Sequence, residues 1–304
     1  MSQARDALRW IGTVDCEGGP VLLVAPADYA KWTGSFPFEL LEKRFPDDPR
    51  FANRRLSLHY WGQFTDRLPA PFREDGGHVF RRYDTGAEAK AKLAELRAAV
   101  EQLEPGIAVN VDETSGRVQF RTQNGEQMTA ELAPSSMYDA AWQEHEGEKV
   151  WTHPLPQGEG LFYDIKGAGT AEVAVGNGHL VIVRTWLSGD DDTEAAEKEA
   201  IRAFVANARP SEKESGEMTF TSSRLIAVWS PIARVQLGHK TLEAYEAAMA
   251  GDAVVELSTE RFRGVGQCFS IAPGRYRISV GHSDEEDDDD REWKCRWCRL
   301  TKVG

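Results

Sequence analysis

The chain has 304 residues, 41% hydrophobic and 28% charged, a globular composition long enough for one large domain or two ordinary ones. Its 36 Lys and Arg stand against 49 Asp and Glu, and the net charge of −13 opposes attraction to nucleic acid or anionic membranes while favouring a basic protein partner. No stretch approaches the roughly 18 apolar residues of a membrane span, the N-terminus lacks a signal-peptide core, and the four cysteines form no secreted disulfide framework; a soluble cytoplasmic protein with reduced thiols is expected.

The segment Trp10 to Gly34 turns at Gly18, Gly19 and Pro20, runs from Val21 to Val24 without a polar side-chain atom, and breaks at Pro26. That pattern predicts a buried strand. Phe38, Leu41 and Phe45 have helical spacing ended by Pro46. Residues 46–77 are rich in Pro, Asp, Arg and Gly, apart from the alternating Leu56, Leu58 and Tyr60 of a half-buried strand, and an insertion is expected around residues 37–76.

The clearest helix follows Thr85, which has Glu88 at capping-box spacing; Leu93, Leu96, Val100 and Leu103 share a face, and Pro105 with Gly106 ends it. Ile107 to Leu132 alternates in segments divided by Thr114 to Gly116 and by Asn124-Gly125, a hairpin signal that predicts antiparallel strands. A short helix is expected around Ser135 to Glu144. Gly158 to Ile165, Ala171 to Val175 and His179 to Leu187 read as three strands, the last apolar enough to be central.

Ile201, Phe204, Val205 and Ala208 make a second helical stripe ended by Pro210, and Leu242, Tyr245 and Met249 a third ended by Gly251. Further strands are expected at Met218–Ser230, Ala253–Leu257, Gly266–Ala272 and Pro273–Val280, with Glu292–Val303 last. The expected fold is α+β, mostly antiparallel β-sheet with about three main helices. Gly77-His78-Val79-Phe80 and Gly178-His179-Leu180-Val181 each open a strand–helix–strand–strand order, which suggests two related units, residues 1–137 and 138–304. The alternative is that the same element order and turn residues arise by chance.

Catalytic signatures are missing: there is no phosphate-binding GxxxxGK[ST], no G-x-S-x-G, and His145-Glu146 lacks a second histidine four residues after the first. An enzyme would have to gather dispersed residues such as His59, His78, His145 and His153 around a carboxylate. Cys295 and Cys298 have the spacing of a zinc knuckle, but no second knuckle exists, and in a strand the two face opposite ways. Buried strand cysteines are the favoured reading, a metal or redox pair the alternative, and no cofactor is expected.

The seven consecutive acids Asp284, Glu285, Glu286, Asp287, Asp288, Asp289 and Asp290 have no glycine for a calcium loop. They form either a solvated hairpin loop or a contact for a basic partner, in which they would imitate a phosphate backbone. Asp190, Asp191 and Asp192 would extend that field or serve a helix N-terminus. Of nine tryptophans, Trp61 and Trp142 lie in connecting regions and are the better interface candidates.

Trp10, Gly18-Gly19-Pro20, the Val21 to Val24 run, Pro26, Trp32 and Gly34 together resemble the start of the immunity protein 21 family of bacterial polymorphic toxin systems. Tyr138-Asp139-Ala140-Ala141, Gly158 to Phe162, Val183-Arg184 and Pro273-Gly274-Arg275-Tyr276-Arg277 are similar in the same order, so that residues 9–35 and 138–301 correspond to the family and residues 36–137 are extra or a diverged duplicate. The resemblance implies a β-rich protein without catalysis that protects its producer by binding a cognate toxin. A nuclease is the kind of toxin that the negative charge would suit. The rival readings are an enzyme with a dispersed histidine and carboxylate site, and a regulatory module built on Cys295 and Cys298.

Overall fold

The computed structural model describes residues 8–35, 56–73, 78–83, 85–112, 117–134, 136–145, 147–176, 178–187, 193–207, 212–283 and 293–303. The fold is α+β with three antiparallel sheets, and the chain divides into two compact units, residues 1–34 with 147–304 and residues 35–146.

In the first unit, one six-stranded sheet runs β1 (Arg9–Cys16), β10 (Gly169–Gly176), β11 (His179–Trp186), β17 (Lys294–Lys302), β16 (Gly274–His282), β12 (Lys213–Phe220). The other runs β14 (Val255–Leu257), β15 (Gly266–Ser270), β13 (Arg224–Trp229), β2 (Val21–Val24), β9 (Gly158–Tyr163), β8 (Val150–Leu155). β2 and β11 read as apolar runs because each lies between two neighbours with both faces covered, and all four residues of β2 are buried. The two sheets meet where Gln267 Nε2 donates to the Thr13 carbonyl at 2.8 Å, an approach that Gly12 permits by having no side chain.

Helix α4 (Glu194–Asn207) lays Ile201, Phe204 and Val205 on Val181, Val183, Cys295 and Trp297. Arg202 on its polar side reaches back to Glu172 of β10 at 2.7 Å. The single turn α1 (Pro26–Tyr29) and helix α5 (His239–Ala248) meet through the Tyr29 and Tyr245 rings, 6.3 Å apart and edge-on. Trp32 is buried, donates Nε1 to the Ser230 carbonyl at 2.7 Å and packs 5.7 Å from Phe162.

The second unit is a five-stranded sheet ordered β4 (His78–Tyr83), β3 (Leu56–Gly62), β7 (Gln127–Pro134), β6 (Arg117–Arg121), β5 (Ala108–Asp112). Helix α2 (Gly86–Leu103) opens with the expected reciprocal Thr85–Glu88 capping box and buries Leu96 and Val100 against Leu58, Tyr60, Val118, Phe120 and Met128. Helix α3 (Met137–Glu144) has a capping box of its own between Ser136 and Asp139, and Glu144 at its end pairs with Arg82 of β4 at 3.2 Å. Among the described residues no helix is long and apolar enough to cross a membrane.

Leu56–Gly62 forms the expected strand, the second of its sheet, flanked by β4 and β7 with Leu58 and Tyr60 fully in the core. Two expectations differ from the structure. The units do not divide at 137/138, because β1 and β2 pair with β10, β13 and β9 and so draw the first residues into the unit of residues 147–304, while α3 falls in the other. The suspected repeat holds in element order only: β5 and β6 form a hairpin, whereas β12 and β13 belong to different sheets. The helix expected at Phe36 to Phe45 lies outside the described residues.

Candidate functional site

The sequence candidates are distributed over both units. Asp284 to Asp290, and Asp190 to Asp192, lie outside the described residues. β16 and β17, which flank the acidic run, pair in register from Tyr276↔Lys302 to His282↔Arg296, so the run joins two neighbouring antiparallel strands as expected.

Trp61 stands on β3. Its alternate residues Leu58 and Tyr60 face α2, so His59 and Trp61 take the opposite face, with rings 4.7 Å apart and tilted by 37°. Arg117, Gln119 and Arg121 of β6 share that face and are exposed. Arg117 pairs with Glu131 at 3.1 Å. Trp142 is half-buried on α3 and stacks on Tyr138, one helical turn earlier, at 6.3 Å and 29°. Burial raises the Asp139 carboxyl above its usual range, against the Ser136 hydrogen bonds that hold it down.

His59 packs on Trp61, His78 opens β4 opposite Trp61, His145 caps the C-terminus of α3, and His153 on β8 stands edge-on to Phe162 at 6.2 Å. His153 belongs to the first unit and the other three to the second.

Cys295 and Cys298 are both fully buried on β17 and point to opposite faces, Cys295 into the cluster beneath α4 and Cys298 away from it. One metal ion cannot be shared by thiols so placed. Burial, with a smaller contribution from Glu212, pushes the Cys298 thiol far up, which keeps it protonated and unreactive.

What sequence reading missed is a cavity of about 80 Å³ inside the first unit, lined by Lys149, Tyr163, Asp164, Lys213, His282 and Arg296. These residues come from the approach to β8, the end of β9, the start of β12, the end of β16 and β17, and no local motif links them. Gly281 makes the close packing possible: a Cβ there would stand 2.2 Å from the Trp297 ring. Tyr163 is 3% exposed, and its hydroxyl has no hydrogen-bond partner among the described residues. Desolvation holds that hydroxyl well above its ordinary pKa, so it remains a donor. Asp164 is engaged locally, its Oδ1 accepting from the Lys166 amide at 2.9 Å.

A second, wider cavity of about 400 Å³ is lined in part by Glu172, Arg184, Trp186, Glu194 and Lys198. Its charges are already answered. Glu172 is paired with Arg202 and Glu194 with Lys198, while the Arg184 guanidinium donates to the Ala168 and Thr170 carbonyls at 2.5 and 3.3 Å and stacks 4.8 Å above Trp186.

Comparison of the chain with family models, curated proteins and solved structures found no match.

Proposed function

We propose that the chain is an immunity protein of the bacterial cytoplasm, a binding protein rather than an enzyme, which neutralises a cognate toxin by stoichiometric occlusion. The observation that carries this reading is how the family-like segments of the sequence assemble. The Val21 to Val24 run is flanked by Leu161–Tyr163 on one side and Ile226–Trp229 on the other; Val183-Arg184 lies in β11, an interior strand of the other six-stranded sheet of that unit, and Gly274 to Arg277 opens β16 two strands away. Segments far apart in sequence thus share one unit, residues 1–34 and 147–304, and residues 35–146 form a compact unit of their own close to the stretch that the resemblance leaves out. Tyr138 to Ala141 is the exception, since α3 lies in the second unit.

The net charge of −13 supports a basic partner, a nuclease being one class that offers such a surface. On this reading Asp284 to Asp290 meets the toxin electrostatically, and Trp61 and Trp142 are the aromatic anchors. The test is genetic: the reading frame beside this gene should encode a toxin-like domain, and co-expression of the chain should relieve its toxicity. A neighbour with no toxin domain, together with no relief from any adjacent gene product, overturns the reading.

A further inference from the structure

We propose that the free edge of β5 pairs with the same edge of a second copy of this chain, antiparallel about a twofold axis at Asn110. β5 ends the sheet of the second unit, and of its residues all but Val109 are exposed. Val111 is 45% exposed and is the one large apolar side chain so exposed among the described residues. An edge strand with free backbone donors and acceptors is a template for another strand, and proteins blunt such edges with charge, proline, bulges, short length or a covering element. The other sheet edges are blunted in these ways. β12 carries Lys213, Glu214 and Glu217 and a register shift before Gly216; β1 has a shift between Trp10 and Gly12; β8 holds Pro154; β14 is three residues long; and Arg82 of β4 is paired with Glu144 of α3. β5, from Ala108 to Asp112, has neither proline nor bulge, and its single charge stands at its end.

The sequence of this edge is complementary to itself. With the whole strand paired antiparallel, Val109 of one copy stands opposite Val111 of the other, Asn110 opposite Asn110, and Ala108 opposite Asp112, with opposed side chains about 5 Å apart. Val109 and Val111 continue the face of Phe120 and Val118, their register partners on β6, so the pairing covers the exposed valine and carries the apolar layer under α2 across the seam. On the other face Arg121 is the β6 partner of Ala108. The small Ala108 side chain lets Arg121, which is exposed and makes no ion pair among the described residues, reach over it to Asp112 of the second copy, and symmetry makes that contact twice. A strand of another protein would have to supply a valine and a carboxylate at the same spacing; a second copy brings both. So short a strand pair falls below the standard interface of about 1,600 Å², and the dimer is accordingly weak, with a Kd of about 1–100 μM. The pairing is independent of toxin neutralisation, and its failure would leave that reading untouched.

The experiment is sedimentation equilibrium of the full chain over about 1–500 μM, where a monomer–dimer equilibrium is expected. Val111→Lys changes an exposed side chain, should fold normally, and should raise the dimer Kd about tenfold or more; Arg121→Glu should raise it about fivefold. Cross-linking reads the register. All four native cysteines are buried, so mild oxidation of Asn110→Cys should join two copies through residue 110, whereas in Ala108→Cys the two positions lie about 14 Å apart along the paired strands and should stay unlinked. A chain that is monomeric throughout overturns the inference, and if Val111→Lys then weakens toxin binding the edge belongs to the toxin instead. A dimer that Val111→Lys leaves intact overturns it too, as does one in which Asn110→Cys cross-links no better than Ala108→Cys.

Discussion

Arg299 Nε donates to Glu212 Oε1 at 2.6 Å, with the two side chains 2% and 8% exposed. Glu212 also accepts from Trp297 Nε1 at 2.8 Å and from Ser279 Oγ at 2.7 Å, and Arg299 donates its remaining arm to the Val205 carbonyl at 2.6 Å. One carboxylate thereby ties β17, β16 and the end of α4 together. Glu212→Ala strands a buried guanidinium and orphans two donors, and should destabilise the first unit by about 3–5 kcal/mol in urea denaturation. Glu212→Gln keeps one acceptor oxygen for Arg299 and Trp297 and puts an amide NH2 toward Ser279, whose hydroxyl can accept, and should cost less. Equal losses in the two variants would mean that the ionic component dominates, and a loss below about 1 kcal/mol in the alanine variant would contradict the arrangement.

Gly169 gives a second test of packing. Its φ is +145°, and a Cβ at that position would stand 1.9 Å from Arg184 Nη1, so Gly169→Ala must both strain the backbone and expel the guanidinium from its carbonyl partners. A loss of about 3 kcal/mol or more is expected, with altered tryptophan fluorescence as Arg184 leaves Trp186. Gly125, at φ +85° with nothing within 4 Å of its would-be Cβ, isolates the conformational part, and Gly125→Ala should cost only about 1 kcal/mol. Similar losses at both positions would contradict the close approach at Gly169.

The strands and helices were legible wherever one local signal decided the matter. Thr85 with Glu88, the stripe of Leu96 and Val100, the Asn124-Gly125 turn and the all-apolar Val21 to Val24 each have a short-range physical cause, and each element formed as expected. Pairing was legible only where a hairpin fixed it. Nothing in Leu56 to Gly62 states that it lies beside Met128 to Pro134, and nothing in Val21 to Val24 states that it lies beside Ile226 to Trp229. Those partners are chosen by burial of whole faces, a property of the assembled unit. The cavity residues escaped for the same reason: Lys149, Lys213 and Arg296 are ordinary charged positions in sequence, and only the topology brings them to one place. The suspicion about Cys295 and Cys298 could be answered from strand period alone.

Alkaline titration should separate buried phenols from exposed ones. Burial pushes Tyr60 and Tyr245 up to about 12 from an ordinary value near 10, and the Tyr60 hydroxyl also donates to the Phe72 carbonyl at 2.8 Å. The folded pKa lies above the unfolded one, so the stability contributed by keeping each phenol neutral is full below about pH 10 and is lost as the pH rises towards about 12. Phenolate absorbance should show a late phase that shrinks in Tyr60→Phe and in Tyr245→Phe. Ionisation of all seven tyrosines in one step near pH 10 would contradict their burial.

If the acidic run meets a basic toxin, exchanging Asp284 to Asp290 for Ser and Gly should slow association and flatten its dependence on salt, with a smaller effect on dissociation. Trp61→Ala and Trp142→Ala should act the other way, speeding dissociation. Association and dissociation rates measured across a range of ionic strength distinguish the two. Unchanged kinetics in the acidic variant would reduce the run to a solvated loop.

The most direct measurement is co-expression of the chain with the product of the neighbouring toxin-like gene in a bacterial host, followed by purification of whatever complex forms. The account predicts restored growth and a stoichiometric complex in which the toxin is inactive. Continued growth arrest with both proteins present and folded, and no complex between them, would contradict it.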